Sequence, residues 1–142
     1  EGRIKVDPAQ NQKRYTLHDP CNLVRLGGVS EPQRYLLRET VSDFVEMSPN
    51  RENNFCCGGR GGQLSMTRFA DRRIEAGKVK ADQISATGAQ VVVAPCHNCI
   101  DQLSELNKHY KLNTEVKTVT EIVADAIVLL PATPTTAASP KP

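Results

Sequence analysis

In the stretch "VVVAPCHNC", residues 91–99, three valines run unbroken into a proline and a C-x-x-C pair. A continuous β-branched run without polar alternation suits a strand covered on both faces, as strands of a parallel sheet are. The cysteine pair then opens a helical pattern in which Ile100, Leu103, Leu106 and Tyr110 share one face.

Outward from this unit the same alternation repeats. "RYTLH" (14–18), "FVEM" (44–47) and "EVKTV" (115–119) are further short apolar runs of strand type. "FVEM" is also compatible with the end of the preceding helix. "SEPQRYLLRETV" offers Ser30 and Gln33 as a capping box, Pro32 in the first turn, and Leu37 and Val41 four apart. "MTRFADRRIEAGKVKADQISATG" places Ile74, Ala81 and Ile84 on one stripe, with Gly88 as the stop. Lys78, Lys80, Arg72 and Arg73 are expected on the wet face of that helix. Thr118 and Glu121 cap a fourth helix carrying Ile122, Val123, Ala126, Ile127 and Leu130.

Strands alternating with helices predict an α/β fold, doubly wound, with a mainly parallel sheet of about four strands. Ligands of such sheets gather outside the carboxyl ends of the strands. Cys21 follows the first strand, Cys56 and Cys57 the second, and Cys96 and Cys99 the third. All five sulfurs are therefore expected at the carboxyl ends of the strands.

The chain has 142 residues, 39% of them hydrophobic and 24% charged, enough for one domain with an aliphatic core. Aromatic residues are only 4%, the net charge is +2, and the signs are interspersed. This composition argues against a nucleic-acid binder, which would show a basic patch and stacking aromatics. The longest apolar run, "IVADAIVLL", is interrupted by Asp125 and too short to span a membrane. No internal repeat is found. Residues 1–13 are expected to be an N-terminal extension, residues 14–130 the folded domain, and residues 131–142, "PATPTTAASPKP", a disordered tail. The opening "EGRIKVDP" has neither a methionine nor a leader pattern, and suggests a piece of a longer chain.

Five cysteines as C, CC and C-x-x-C do not form the spacing of a secreted disulfide scaffold. Four readings compete. A structural zinc site needs four tetrahedral ligands, and leaves a sulfur over. A thioredoxin-like pair explains Cys96 and Cys99, since a helix N-terminus favours a thiolate, but ignores the other three and the glycines. Inert buried thiols suit Cys21 alone. An iron–sulfur cluster uses thiolates and accepts hydrogen bonds at sulfur, which "GGRGG" (58–62) can offer from a concave run of backbone N–H groups. A cubane, however, takes four cysteines.

"HDPCNLVRLGG", "NFCCGGRGG" and "APCHNCIDQL" together resemble the CCG cysteine-rich domain of heterodisulfide-reductase-type proteins, over most of residues 14–130. That group includes the B subunit of the methanogen heterodisulfide reductase and the K subunit of the membrane complex associated with dissimilatory sulfite reductase. The resemblance implies a noncubane 4Fe-4S-type cofactor, in which two smaller clusters share iron and sulfide. Its ligands here would be Cys21, Cys56, Cys57, Cys96 and Cys99, with Gly58, Gly59, Gly61 and Gly62 lining it. The implied function is an oxidoreductase of anaerobic respiration that reduces or forms a disulfide-type bond. The implied partners are a disulfide or thiol substrate and iron–sulfur and membrane cytochrome subunits. The expected place is cytoplasmic, at the membrane through those subunits, without a span of its own. Two alternatives stand beside it: an electron-transfer module of a quinone-linked dehydrogenase, and a metal-free thiol–disulfide exchanger using Cys96 and Cys99.

His18 and His97 flank cysteines and are the candidate catalytic proton carriers, having suitable unperturbed pKa values. Asp19 and Pro20 are expected to shape the turn presenting Cys21, and Asn98 to cap a helix or hydrogen-bond a sulfur. Arg25, Arg51 and Arg60 are either substrate-carboxylate contacts or solvated surface residues.

Overall fold

A computed structural model of the chain describes residues 4–59 and 61–129. Four strands form one sheet: β1 (Arg14–Leu17), β2 (Asp43–Val45), β3 (Val91–Val93) and β4 (Glu115–Lys117). Their spatial order is β2-β1-β3-β4, and every pairing is parallel. The α/β expectation holds, and the second strand sits at the start of the "FVEM" run, not within the preceding helix.

Four α-helices connect and flank the strands: α1 (Glu31–Thr40), α2 (Ala70–Thr87), α3 (His97–Tyr110) and α4 (Val119–Ala126). Helices α1 and α4 pack together, as do α2 and α3. The two-residue alternation of β3 divides the interior accordingly. Val91 and Val93 join Tyr15, Leu17, Leu37, Val41, Val119 and Ile122 in one cluster. Val92 joins Met47, Ile84, Leu103 and Leu106 in the other, together with Cys57 and Cys99. The unbroken valine run is thus buried on both faces, as its sequence requires.

The helix ends show which local signals operate. Gly88 terminates α2 with φ +62°, a conformation glycine adopts without steric cost. Thr118 and Glu121 form both hydrogen bonds of a capping box at α4. The box expected at α1 does not form. Ser30 makes no side-chain cap: its backbone stands at φ −116°, ψ −30°, not in the extended conformation of an N-cap, and the Gln33 amide donates to the Val29 carbonyl at 2.7 Å. Helix α4 also ends earlier than expected. Ile127 is extended and bridges Val6 in antiparallel fashion, while Leu130 and the tail 131–142 lie outside the described residues.

The wet-face expectation for α2 is half right. Arg72 and Lys78 are exposed, but Arg73 and Lys80 are buried at 4% and 0% exposure. Positions 73, 77, 80 and 84 follow the inward 4-3-4 spacing of a helix, so the stripe facing α3 and the sheet contains two cations and a glycine. Charge alone misled there.

Candidate functional site

Strand order locates the site. The connection from β1 leads outward to β2, whereas β3 lies on the other side of β1 and leads outward to β4. The carboxyl ends of β1 and β3 therefore flank a topological switch point, where adjacent connections diverge and leave a crevice. Cys21 follows β1 across the short "HDP" turn, and Cys96 follows β3 after two residues.

A cavity of about 390 Å³ occupies this crevice. It is lined by all five cysteines, with Pro20, Asn22, Arg25, Gly59 and Asn98. Three chain segments deliver the sulfurs. Cys21 opens a π-helical segment, Cys21–Leu26, of a kind that often marks functional positions. Cys56 and Cys57 sit in the loop before α2. Cys96 is the N-cap residue of α3 and Cys99 lies in its first turn.

The loop holding the paired cysteines is pinned by close backbone approach. Gly58 has φ +91°, and its N–H donates to Cys56 Sγ at 3.4 Å. A Cβ on Gly58 would stand 2.5 Å from the Arg73 carbonyl oxygen, and one on Gly77 would stand 2.7 Å from the Cys57 carbonyl oxygen. Two glycines thus let the loop lie directly on α2. A Cβ on Gly59 would meet Gln102 at 3.1 Å, whereas one on Gly62 would meet nothing within 4 Å. Gly59 reaches the cavity, Gly61 begins a short 3-10 turn, and Arg60 lies outside the described residues.

The thiols are reluctant to ionise by themselves. Burial, followed by the neighbouring Cys56, pushes Cys21 up. The hydrogen bond with Cys57, then burial, pushes Cys56 up strongly. For Cys57 the hydrogen bond from Cys56 lowers the value, but contact with Cys99 and burial outweigh it, and the thiol reaches about 12. Crowded thiols that raise one another in this way are converted to thiolates when a metal cation takes the place of their protons.

His18 is the second mark of a binding site. It is wholly buried, and neither Nδ1 nor Nε2 has a hydrogen-bond partner. One of its nitrogens and the sulfurs of Cys57 and Cys99 lie within 4.8 Å of one another. Burial, then the charge of Lys80, holds its pKa well below the ordinary value, so the ring is neutral and carries one N–H donor. A buried imidazole with both nitrogens free is costly unless something else supplies a partner. An orphaned donor among clustered thiols, beside a cavity far larger than one ion needs, fits an iron–sulfur group with sulfide acceptors.

His97 stands apart. Its side chain is 86% exposed, its Nε2 lies 3.7 Å from Asp101, and it is absent from the cavity wall. Arg25 lines the mouth and donates to the carbonyls of Glu52 (2.9 Å) and Asn54, tying the Cys21 segment to the loop before Cys56. Arg51 pairs with Glu31 at 2.6 Å. Asp19 does more than shape a turn: fully buried, it accepts two bonds from Arg34 and the Arg51 N–H.

Sequence reasoning did not single out Arg34, Arg73, Lys80 or Gln102 as parts of the surroundings. The available signal was Gly77, a glycine in the middle of a long helix, which costs helix stability unless something packs there.

The chain matches the CCG family, described as a cysteine-rich domain, over residues 15–104. The chain belongs to this family. It is 30% identical over 137 residues to the Hdr-like menaquinol oxidoreductase iron-sulfur subunit of Archaeoglobus profundus, covering 89% of this chain and 24% of the relative. It is 32% identical over 128 residues to the D subunit of the dihydromethanophenazine:CoB--CoM heterodisulfide reductase of Methanosarcina barkeri, covering 89% of this chain and 31% of the relative. A more distant similarity, 27% over 112 residues, joins it to the EtfAB:quinone oxidoreductase of Syntrophomonas wolfei, covering 74% of this chain and 15% of the relative. The chain spans less than a third of the length of these relatives, all of them oxidoreductases or their subunits. No solved structure matches it significantly. Among the described residues, no helix is long and apolar enough to cross a membrane.

Proposed function

We propose that this domain is the iron–sulfur part of a heterodisulfide-reductase-like oxidoreductase. It would hold one noncubane cluster on Cys21, Cys56, Cys57, Cys96 and Cys99, and act on a disulfide-type bond within a respiratory chain. The observation that carries this reading is the convergence of all five cysteines on one cavity at the switch point. A zinc site or a four-cysteine cubane leaves one of those sulfurs without a task.

When bound, the cluster would supply electrons singly to a bond whose cleavage takes two. The residues of the chain do the rest. Cysteines from three segments fix the cofactor in the crevice. His18, held neutral, would give its one N–H as a hydrogen bond to a sulfur of the bound group rather than a proton to a departing thiolate. Asn98 and Arg25 frame the opening through which a substrate sulfur would approach. Neighbouring subunits of iron–sulfur and cytochrome type would pass the electrons on. His97, on the solvent side, is the candidate proton carrier that remains in this scheme. The metal-free exchanger would use Cys96 and Cys99 alone, and leaves the other three cysteines of the same cavity without a task. The similarity to an EtfAB:quinone oxidoreductase favours a second reading, a pure electron relay.

Iron and acid-labile sulfide, measured after anaerobic expression, test the cofactor. Addition of a thiol to the oxidised domain then separates the two roles. A new paramagnetic signal, broadened when the thiol carries a magnetic sulfur isotope, is expected for direct substrate binding. An unchanged signal with every thiol leaves the relay.

A further inference from the structure

A lysine inside a protein normally finds a carboxylate or stays neutral. Lys80 is fully buried, yet it forms no ion pair among the described residues. Its ammonium donates to Gln83 Oε1 and lies 3.7 Å from Met47 Sδ. One of its three donors has no protein partner. The buried carboxylate that acts on it, Asp19, is already taken by two nitrogens of Arg34 and by the Arg51 N–H.

The position of Lys80 gives this cation a target. It stands one helical turn after Gly77, the residue on which the Cys57 carbonyl rests. Met47 belongs to the same packed cluster as Cys57 and Cys99. Negative charge on Cys57, Cys21 or Cys56 would favour the ammonium, and the ammonium in turn helps keep His18 neutral. Lys80 is not among the residues lining the cavity, and it reaches the cluster that holds Cys57 and Cys99 through Met47.

We propose that Lys80 is the built-in countercharge of the cysteine site, a positioning residue that touches neither substrate nor cluster but raises the reduction potential of the bound group. The inference rests on the cluster reading above. Five thiolates and a sulfide core leave net negative charge in a crevice of low dielectric, and each added electron increases it. A fixed positive charge nearby stabilises the reduced form most. Gln83 holds the ammonium in place, its own amide anchored on the Pro49 carbonyl at 2.5 Å.

The test compares wild type with Lys80→Met, which keeps length and packing but removes the charge. In the loaded domain, the midpoint potential followed by spectroscopic redox titration should fall. A tenfold loss in the reduction equilibrium constant, about 59 mV for one electron, is the expected scale. In the apo-protein at neutral pH the same variant should be more stable than wild type, because an uncompensated cation has been removed. Should Lys80→Met fail to retain iron, the apo comparison and the potential of Lys80→Arg, expected to stay near wild type, decide the matter. An unchanged potential at full iron and sulfide content, or an apo variant less stable than wild type, overturns the countercharge. Wild-type protein that takes up no iron and sulfide would instead overturn the cluster reading, and this inference with it.

Discussion

The sulfurs of Cys57 and Cys99 lie 3.8 Å apart although 42 positions separate them in the chain. The distance is far too long for a disulfide, which needs about 2.05 Å. It is suited to two thiolates sharing a metal group. Cys57 reaches this point because its backbone rests on Gly77, and Cys99 because α3 begins directly after β3.

Replacing Cys57 by serine should therefore cost the domain most of its iron, or change its absorption and paramagnetic spectrum, even with Cys56 beside it. Cys56 cannot take over, because the sulfur that stands 3.8 Å from Cys99 is that of Cys57. Iron, sulfide and spectrum all unchanged in Cys57→Ser would remove Cys57 from the ligand set.

Gly77→Ala tests the support beneath the loop. Alanine favours a helix over glycine by about 1 kcal/mol, which on propensity alone predicts stabilisation. Its Cβ would lie 2.5 Å from a methyl carbon of Leu106 and 2.7 Å from the Cys57 carbonyl oxygen, and backbone cannot give way cheaply. Overpacking of this kind costs about 1–3 kcal/mol. The steric effect should win, so urea unfolding is expected to show a less stable protein that also retains less iron. A more stable variant would mean that the loop stands off the helix.

Removal of Arg34 should be more damaging. Its guanidinium bonds both oxygens of Asp19 at 2.8 and 2.7 Å and both of Glu46 at 2.7 and 3.0 Å, with no exposure of its own. Taking one partner from a buried pair costs about 3–5 kcal/mol, because the other charge stays behind. Arg34→Met is thus expected to lower the unfolding free energy by an amount of that order, seen as a lower urea midpoint at unchanged slope. Asp19 lies two residues before Cys21, so iron retention should fall too. A loss near zero would show that Asp19 finds another partner.

These cases show what the sequence could and could not disclose. The sheet was legible because the valines of β3 are apolar on both faces, and a parallel sheet needs that. The convergence of the cysteines followed from topology, since parallel strands put all their carboxyl ends on one side. The inward cations were not legible. Arg34, Arg73 and Lys80 resemble surface residues in the sequence, and the side chains that pair with the two arginines lie on other elements. Ser30 and Gln33 show the converse: the capping pattern is present, but the Ser30 backbone does not take the extended conformation that a cap needs.

The pH dependence of the apo-protein supplies the last test. Burial lowers Lys80 to about 8, against 10.5 when free. The groups acting on it are the thiols of Cys57, Cys21 and Cys56 and the Asp19 carboxylate, and His18 responds to its charge. Below pH 8 the lysine is protonated in both states, and the folded protein bears the full cost of the buried cation. Between pH 8 and 10.5 the folded form has lost that proton while the unfolded chain still holds it. Stability must then rise with pH, by something on the order of 3 kcal/mol across the window. Cys21, Cys56 and Cys57 oppose this trend. Their raised values mean that the unfolded chain ionises first, from about pH 9, so they remove stability as pH climbs. The difference between wild type and Lys80→Met largely cancels the thiols and isolates the lysine. In urea unfolding of apo-protein from about pH 7 to 11, wild type should begin less stable than the variant and gain on it through the window. A flat difference over that range would mean that Lys80 is not held as an unpaired buried cation.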